Sequence, residues 1–158
     1  MKVPGLDRLE PFLGRWKGSY ANQFGEEGVL ESSSECTKEL DGRFIQWKGE
    51  TKKDGVPINS SIEFIAFDAR LHKYIMKRLW SYGFIENGVG DWTDDTTLTF
   101  DIKNFDNPPP GFEGKGWRSF IRVYGKDEIG HGLLVSEHGG EYRPYGESRV
   151  FRATARHR

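Results

Sequence analysis

Residues of the type that lines small-molecule pockets recur at alternate positions of several segments. Side chains of an extended strand point alternately to its two faces, so positions two apart share a face. On this basis the expected ligand-binding residues are Trp47, Met76, Arg78, Trp80, Trp117 and Ile121, and Tyr20 joins them as a tyrosine that would orient the polar end of a ligand. All but Arg78 are apolar or aromatic, as are most residues of small-molecule pockets. The set predicts a cavity for a small, apolar or amphipathic ligand.

Arg78 is the charged member of this set, and two roles are open for it. It lies between Met76 and Trp80 on one face of a predicted strand. Burying a cation without a partner is costly, so an inward Arg78 needs a counter-charge. The anionic end of a ligand would supply one. Alternatively, Arg78 faces outward, or it pairs with an internal glutamate such as Glu35 or Glu50.

Acid–base chemistry has one candidate histidine, His138, predicted at the end of a strand beside Glu137. Imidazole titrates near neutral pH, which suits general acid–base catalysis if the ring reaches the mouth of a cavity. His72 and His131 are predicted at turns and His157 is terminal, so the histidine spacing predicts no metal site. The sequence also has no phosphate-binding loop, dinucleotide fingerprint or Gly-x-Ser-x-Gly motif.

Composition restricts the classes of partner. The chain has 158 residues, enough for one domain spanning 1–158, and its 23 basic and 24 acidic residues nearly cancel. Without a basic block, neither nucleic acid nor a membrane is an expected partner. The single cysteine, Cys36, excludes an internal disulfide, and we expect it to be a buried thiol. The N-terminus has no apolar signal segment, which predicts a cytoplasmic protein; a homodimer is left open.

The elements that position these residues are predicted to be short antiparallel strands. Alternating apolar segments are separated by Gly, Asp and Asn turns, after one helical turn at Leu6–Glu10. About ten strands are expected, at 16–24, 29–40, 43–52, 58–67, 73–80, 84–89, 97–103, 116–124, 130–138 and 148–155. The spacing favours an all-β, closed up-and-down barrel, with a two-sheet sandwich as the alternative. The proline-rich stretch 104–114, with Phe105 and Phe112, is either a lid over the open end or a surface loop.

A family resemblance agrees with this prediction. Residues 9–18, with the pattern Gly-x-Trp-x-Gly at Gly14–Gly18, resemble the opening of an uncharacterised bacterial family of small lipocalin-like (calycin) barrels. The Leu-Asp-Gly-Arg turn of that family matches residues 40–43, and its aromatic-Asp turn before Lys-Tyr matches 67–68 and 73–74. The resemblance implies a barrel with a central cavity. It also implies that Trp16 plugs the closed end, with Arg149 or Arg152 stacked on the indole.

The same opening is more distantly similar to nitrobindin-type and fatty-acid-binding barrels. Nitrobindin-type barrels ligate haem through a histidine of the last strand, whereas residues 148–156 contain none and the next is His157. We therefore expect neither haem nor another cofactor. The leading function is binding or carriage of a small, largely apolar ligand. The alternatives are an isomerase or cyclase that uses His138 or a buried glutamate, and a barrel filled by its own tryptophans that acts through its surface.

Overall fold

Ten antiparallel strands follow a short N-terminal 3₁₀ helix. The computed structural model describes residues 5–112 and 114–153. The helix is Leu6–Phe12. The strands are β1 (Gly14–Ala21), β2 (Val29–Glu39), β3 (Phe44–Lys53), β4 (Val56–Asp68), β5 (Lys73–Trp80), β6 (Ile85–Trp92), β7 (Thr97–Asp106), β8 (Lys115–Gly125), β9 (Glu128–Glu137) and β10 (Arg143–Arg152). In the described part of the chain, no helix has the length and apolar character needed to cross a membrane.

The strands form one closed up-and-down barrel. Each strand pairs with its neighbours in the sequence, and β1 pairs with β10 to close the sheet. The closing register places Trp16 opposite Arg152. The predicted closed barrel is therefore confirmed, and the sandwich alternative is wrong.

The last strand differs most from its expected bounds. β10 begins at Arg143, because residues 143–146 pair with β9 across a bulge between Pro144 and Gly146. Proline is tolerated beside a bulge, where the ladder of hydrogen bonds is already interrupted. β7 likewise continues to Asp106, within the stretch expected to be irregular. Residues 154–155 of the expected last strand, and His157, lie outside the described residues.

The N-terminal helix closes one end of the barrel. Leu6, Leu9 and Phe12 are buried and pack with Trp16, which is fully buried. Trp16 Nε1 donates a hydrogen bond to the Phe12 carbonyl oxygen at 2.9 Å. Apolar burial and this hydrogen bond together hold the helix against the strands.

Of the two candidate arginines, Arg152 is the one that stacks on Trp16. Its guanidinium carbon lies 4.4 Å from the centroid of the indole ring. Its Nη1 donates to the Leu13 carbonyl oxygen at 2.6 Å, so it also ties the end of the helix to β10. Arg149 instead stacks on Tyr124, with 3.5 Å between its guanidinium carbon and the ring centroid. The expected plug is thus present, with Arg152 as its cation.

Candidate functional site

The half of the barrel farther from the helix encloses a cavity of about 540 Å³. This is within the usual range for small-molecule sites. Along β5, Met76 lies in the packed core, while Arg78 and Trp80 line the cavity. Trp47, Trp80 and Trp117 all line the cavity, so they leave space between them rather than fill the interior.

The floor of the cavity contains a buried ionic cluster, which we call the Glu63–Arg78–Glu86 triad. Arg78 Nη2 lies 3.0 Å from Glu63 Oε2, and Arg78 Nη1 lies 3.1 Å from Glu86 Oε1. Arg78 Nη2 also donates to Ser119 Oγ at 2.9 Å. Each of the three charged side chains is at most 7% exposed. Arg78 therefore faces inward and already has two carboxylate partners.

The expectation that an internal glutamate pairs with an inward Arg78 is confirmed, but the examples named for it, Glu35 and Glu50, are wrong. Glu63 and Glu86 occupy that role because the register of the sheet places them directly beside Arg78, on β4 and β6 respectively. Neighbouring strands bring the side chains of paired residues within about 5 Å of one another. Glu35 instead lies on β2, which is not adjacent to β5.

The protonation of the triad follows from its internal contacts. Burial alone would raise the pKa of Glu63, but the charge of Arg78, its hydrogen bond to Glu63 and the nearby ring of His131 lower it to about 2. Burial alone would lower the pKa of Arg78, but Glu63 and Glu86 together hold it above its usual value. Glu63 and Arg78 are therefore both charged at neutral pH.

His131, rather than His138, is the histidine of the cavity. The prediction that His131 lies at a turn is wrong: it is within β9 and lines the cavity. Its ring packs edge-on against Trp47, with centroids 5.0 Å apart. Its Nε2 is buried 3.4 Å from Glu63 Oε1, without a well-aligned hydrogen bond among the described residues.

His138 does not line the cavity. It is exposed in the turn after β9, with a φ of 53°. The alternation of β9 ends at Glu137, so no strand geometry directs the imidazole inward. The predicted catalytic position of His138 at the cavity mouth is therefore wrong.

The indole nitrogens of the cavity tryptophans differ in their partners. Trp47 Nε1 donates to Ser34 Oγ at 3.0 Å, and Trp80 Nε1 donates to Glu86 Oε1 at 2.6 Å. Trp117 is 7% exposed, and its Nε1 is buried without a hydrogen-bond partner among residues 5–112 and 114–153. A buried donor without an acceptor is unfavourable.

Aromatic side chains surround the open end. Phe112 lies 5.0 Å from Phe84, 5.2 Å from Phe105 and 5.1 Å from Trp117, measured between ring centroids. Tyr145 packs edge-on against Trp117, with ring centroids 5.2 Å apart. Phe112 itself lines the cavity, so the proline-rich segment contributes part of its wall. Its action as a lid remains a prediction.

Comparison with known proteins tests the architecture. No protein-family model matches the chain, and no curated protein matches its sequence. The solved structure of Rv2717c from M. tuberculosis matches 98% of this chain and 100% of that chain, with a TM-score of 0.71 and 16% identity. The S-type phycobiliprotein lyase CPES from Guillardia theta matches 98% of this chain and 96% of that chain, with a TM-score of 0.61 and 13% identity. The fold is a lipocalin-like barrel. At these identities the likeness shows the fold alone.

The lipocalin-like barrel brings together most of the predicted binding residues. Those that line the cavity are Tyr20, Trp47, Arg78, Trp80 and Trp117. Met76 and Ile121 are instead buried in the core near the helix, because they lie nearer the closed end of their strands. Sequence reasoning missed Glu63, Glu86 and His131 as cavity residues. For Glu63, the shared strand face with Ile65 was the available signal.

The lipocalin-like barrel presents no metal-binding cluster in its described part. No group of three or more His, Cys, Asp and Glu residues among 5–112 and 114–153 is arranged to hold a metal ion. Cys36 is buried, and burial together with the nearby charge of Glu63 raises the pKa of its thiol. A neutral, buried thiol is a poor nucleophile and a poor metal ligand.

Proposed function

We propose that this protein binds and carries a small, largely apolar molecule in the cavity of the barrel. The observation that carries this proposal is the cavity of about 540 Å³ with aromatic walls and a polar floor. Burial of apolar ligand surface stabilises a complex by roughly 25 cal/mol per Å² before the costs of ordering. The similar barrel of a phycobiliprotein lyase is consistent with ligand binding inside such a fold and does not identify the ligand.

The proposal is tested by filling the cavity. Thr51 lines it from β3, whereas Lys77 is an exposed residue on β5 that does not line it. Thr51→Trp and Lys77→Trp therefore add the same side chain inside and outside the barrel. The probe is N-phenylnaphthylamine, an uncharged dye that fluoresces in apolar surroundings.

We expect saturable dye binding to the wild-type protein and to Lys77→Trp. Thr51→Trp should bind the dye about tenfold more weakly, because the added indole occupies ligand space. Circular dichroism would establish that both variants are folded. Equal dye binding by the two variants would contradict the proposal, since the dye would then lie outside the cavity.

Acid–base catalysis in the same cavity is a second candidate function. The observation that favours it is the position of His131, whose Nε2 lies 3.4 Å from Glu63 Oε1. A carboxylate that orients an imidazole is a common arrangement for a general base. A bicyclic ketone such as tetralone tests it, since proton removal next to the carbonyl incorporates deuterium from D₂O. Equal incorporation by wild-type protein and His131→Gln would contradict this function.

A further inference from the structure

We infer that the ligand of this cavity is a flat ring compound that carries hydroxyl or carbonyl oxygens along one side. The inference rests on the proposed binding function and defines its ligand class. It follows from an uneven distribution of side chains around the cavity. Between the triad and the mouth, one side is lined by small polar residues, and the opposite side is lined by aromatic rings.

The polar side is the inward face of β2, β3 and β4. Its positions, which we call the polar wall, are Ser32, Ser34, Gly49, Thr51, Asn59 and Ser61. Cross-strand pairing arranges them in two rows, Ser34–Gly49–Ser61 and Ser32–Thr51–Asn59. Ser61 and Asn59 lie at alternate positions before the buried Glu63, so their side chains share its inward direction. Each position in the two rows is polar or glycine, so this side of the cavity is polar along its depth.

Three side chains of the polar wall are free to bind a ligand. Ser34 Oγ already accepts a hydrogen bond from Trp47 Nε1 at 3.0 Å. Thr51, Asn59 and Ser61 make no side-chain hydrogen bond within the described residues, and their polar atoms are open to the cavity that they line. Hydroxyl and amide groups both donate and accept hydrogen bonds. Oxygen atoms on one side of a ligand would therefore replace the hydrogen bonds that water makes with this wall.

Aromatic rings line the cavity across from the polar wall. In the closed ten-strand barrel, β8 lies five strands from β3 in either direction, so Trp117 is opposite the polar wall. Phe112 stacks on Trp117 with 30° between the ring planes. Phe84 packs beside Phe112, and Tyr145 packs beside Trp117, so the four rings form one continuous surface. Because aromatic rings attract one another beyond their apolar burial, this surface favours the flat face of a ligand ring.

The need for ligand oxygens is tested with two flavones that differ only in hydroxyl groups. Flavone has none, and kaempferol carries several on the same rings. We expect equilibrium dialysis to show that the wild-type protein binds kaempferol at least about tenfold more tightly. Equal or weaker binding of kaempferol, or no binding of either flavone, would overturn the inference. Binding of N-phenylnaphthylamine in the same preparation would leave the proposed function intact, and its failure would overturn the function as well.

The polar wall is tested with a double variant and a matched control. Thr51→Val with Ser61→Ala removes two hydroxyl groups from the cavity without enlarging either side chain. Ser60→Ala removes a hydroxyl group from the adjacent exposed residue, which does not line the cavity. The ratio of kaempferol affinity to flavone affinity should fall about tenfold in the double variant and stay unchanged in the control. An unchanged ratio in the folded double variant would overturn the assignment of the polar wall. The two flavones on wild-type protein decide the inference if the double variant does not fold.

The need for a flat ring is tested with Phe112→Leu, which keeps an apolar side chain and removes the aromatic face. Kaempferol should lose about fivefold in affinity for this variant. The flexible chain compound 1-decanol, which has no ring to stack, should lose less. Equal losses for the two compounds would show that Phe112 supplies only apolar contact, and would overturn the assignment of a ring to the ligand.

Discussion

Arg78 Nη2 lies 3.0 Å from Glu63 Oε2, and both side chains are almost completely buried. The two residues are cross-strand partners of β5 and β4. Glu86 on β6 completes the triad from the other side. A charged group buried at this depth is tolerated only while its partners remain, so the triad makes the cavity floor sensitive to substitution.

Removal of Arg78 should destabilise the protein severely. Arg78→Met leaves Glu63 and Glu86 as neighbouring buried carboxylates, and we expect a loss of about 3–5 kcal/mol in the free energy of unfolding. Urea denaturation measures this loss. The triple variant Arg78→Met, Glu63→Gln, Glu86→Gln should recover much of it, because no buried charge then remains. A loss below about 1 kcal/mol for Arg78→Met would contradict the importance of the triad.

Acid should destabilise the protein through Glu63. Its pKa is lowered from 4.5 to about 2 in the folded state, so the native protein binds fewer protons than the unfolded chain between these values. This contribution to stability is present above about pH 4.5 and is lost as the pH falls toward 2. The shift corresponds to a contribution on the order of 3 kcal/mol.

The matching measurement compares urea denaturation of wild-type protein and Glu63→Gln at a series of pH values from 5 down to 2. Stability of the wild-type protein should fall more steeply across this window, because the variant lacks the carboxylate. Parallel curves would contradict the lowered pKa of Glu63.

Arg149 and Arg152, the two arginines of β10 considered as partners of Trp16, should contribute unequally to stability. Arg152→Met removes the stacking on Trp16 and the hydrogen bond to Leu13. We expect a loss of about 2–3 kcal/mol, because a charged donor and a cation–π contact are both removed. Arg149→Met on the same strand removes an exposed ion pair with Glu128 and stacking on the exposed ring of Tyr124, and it should cost less than about 1 kcal/mol because both contacts lie at the surface. Thermal or urea denaturation ranks the two variants, and equal losses would contradict the assignment of Arg152 as the cation that secures the Trp16 plug.

The second glycine of the Gly-x-Trp-x-Gly motif should be intolerant of a side chain. A Cβ at Gly18 would lie 2.1 Å from the Arg149 carbonyl oxygen and 2.9 Å from Val150 Cα. Both are backbone atoms of β10, so Gly18→Ala must push the closing strands apart. We expect a loss of about 1–3 kcal/mol.

Gly125 at the end of β8 provides the control. A Cβ there would meet no atom within 4 Å, so Gly125→Ala should change stability by less than about 0.5 kcal/mol. Chemical denaturation of the two variants gives the comparison. Similar effects at the two positions would mean that close approach of β1 and β10 does not explain the motif.

Much of the site was predictable because alternation is a local property of each strand. Residues two apart share a face whatever the strand pairs with, and this grouped Arg78 with Trp80, both of which line the cavity. How deep a residue lies along the barrel is not a local property of its strand. Met76 and Ile121 share those inward faces but lie in the core, because the end closed by the helix is set by packing.

The sequence by itself determined the closed barrel, the helical turn and the motif that places Trp16 at the closed end. These depend on short-range periodicity and turn chemistry. Only the tertiary structure decided that Arg78 is neutralised by Glu63 and Glu86, that His131 rather than His138 reaches the cavity, and that Trp117 Nε1 has no protein acceptor among the described residues. The physical reason is register: a shift of one strand past another changes every cross-strand partner and leaves the alternation within each strand unaltered.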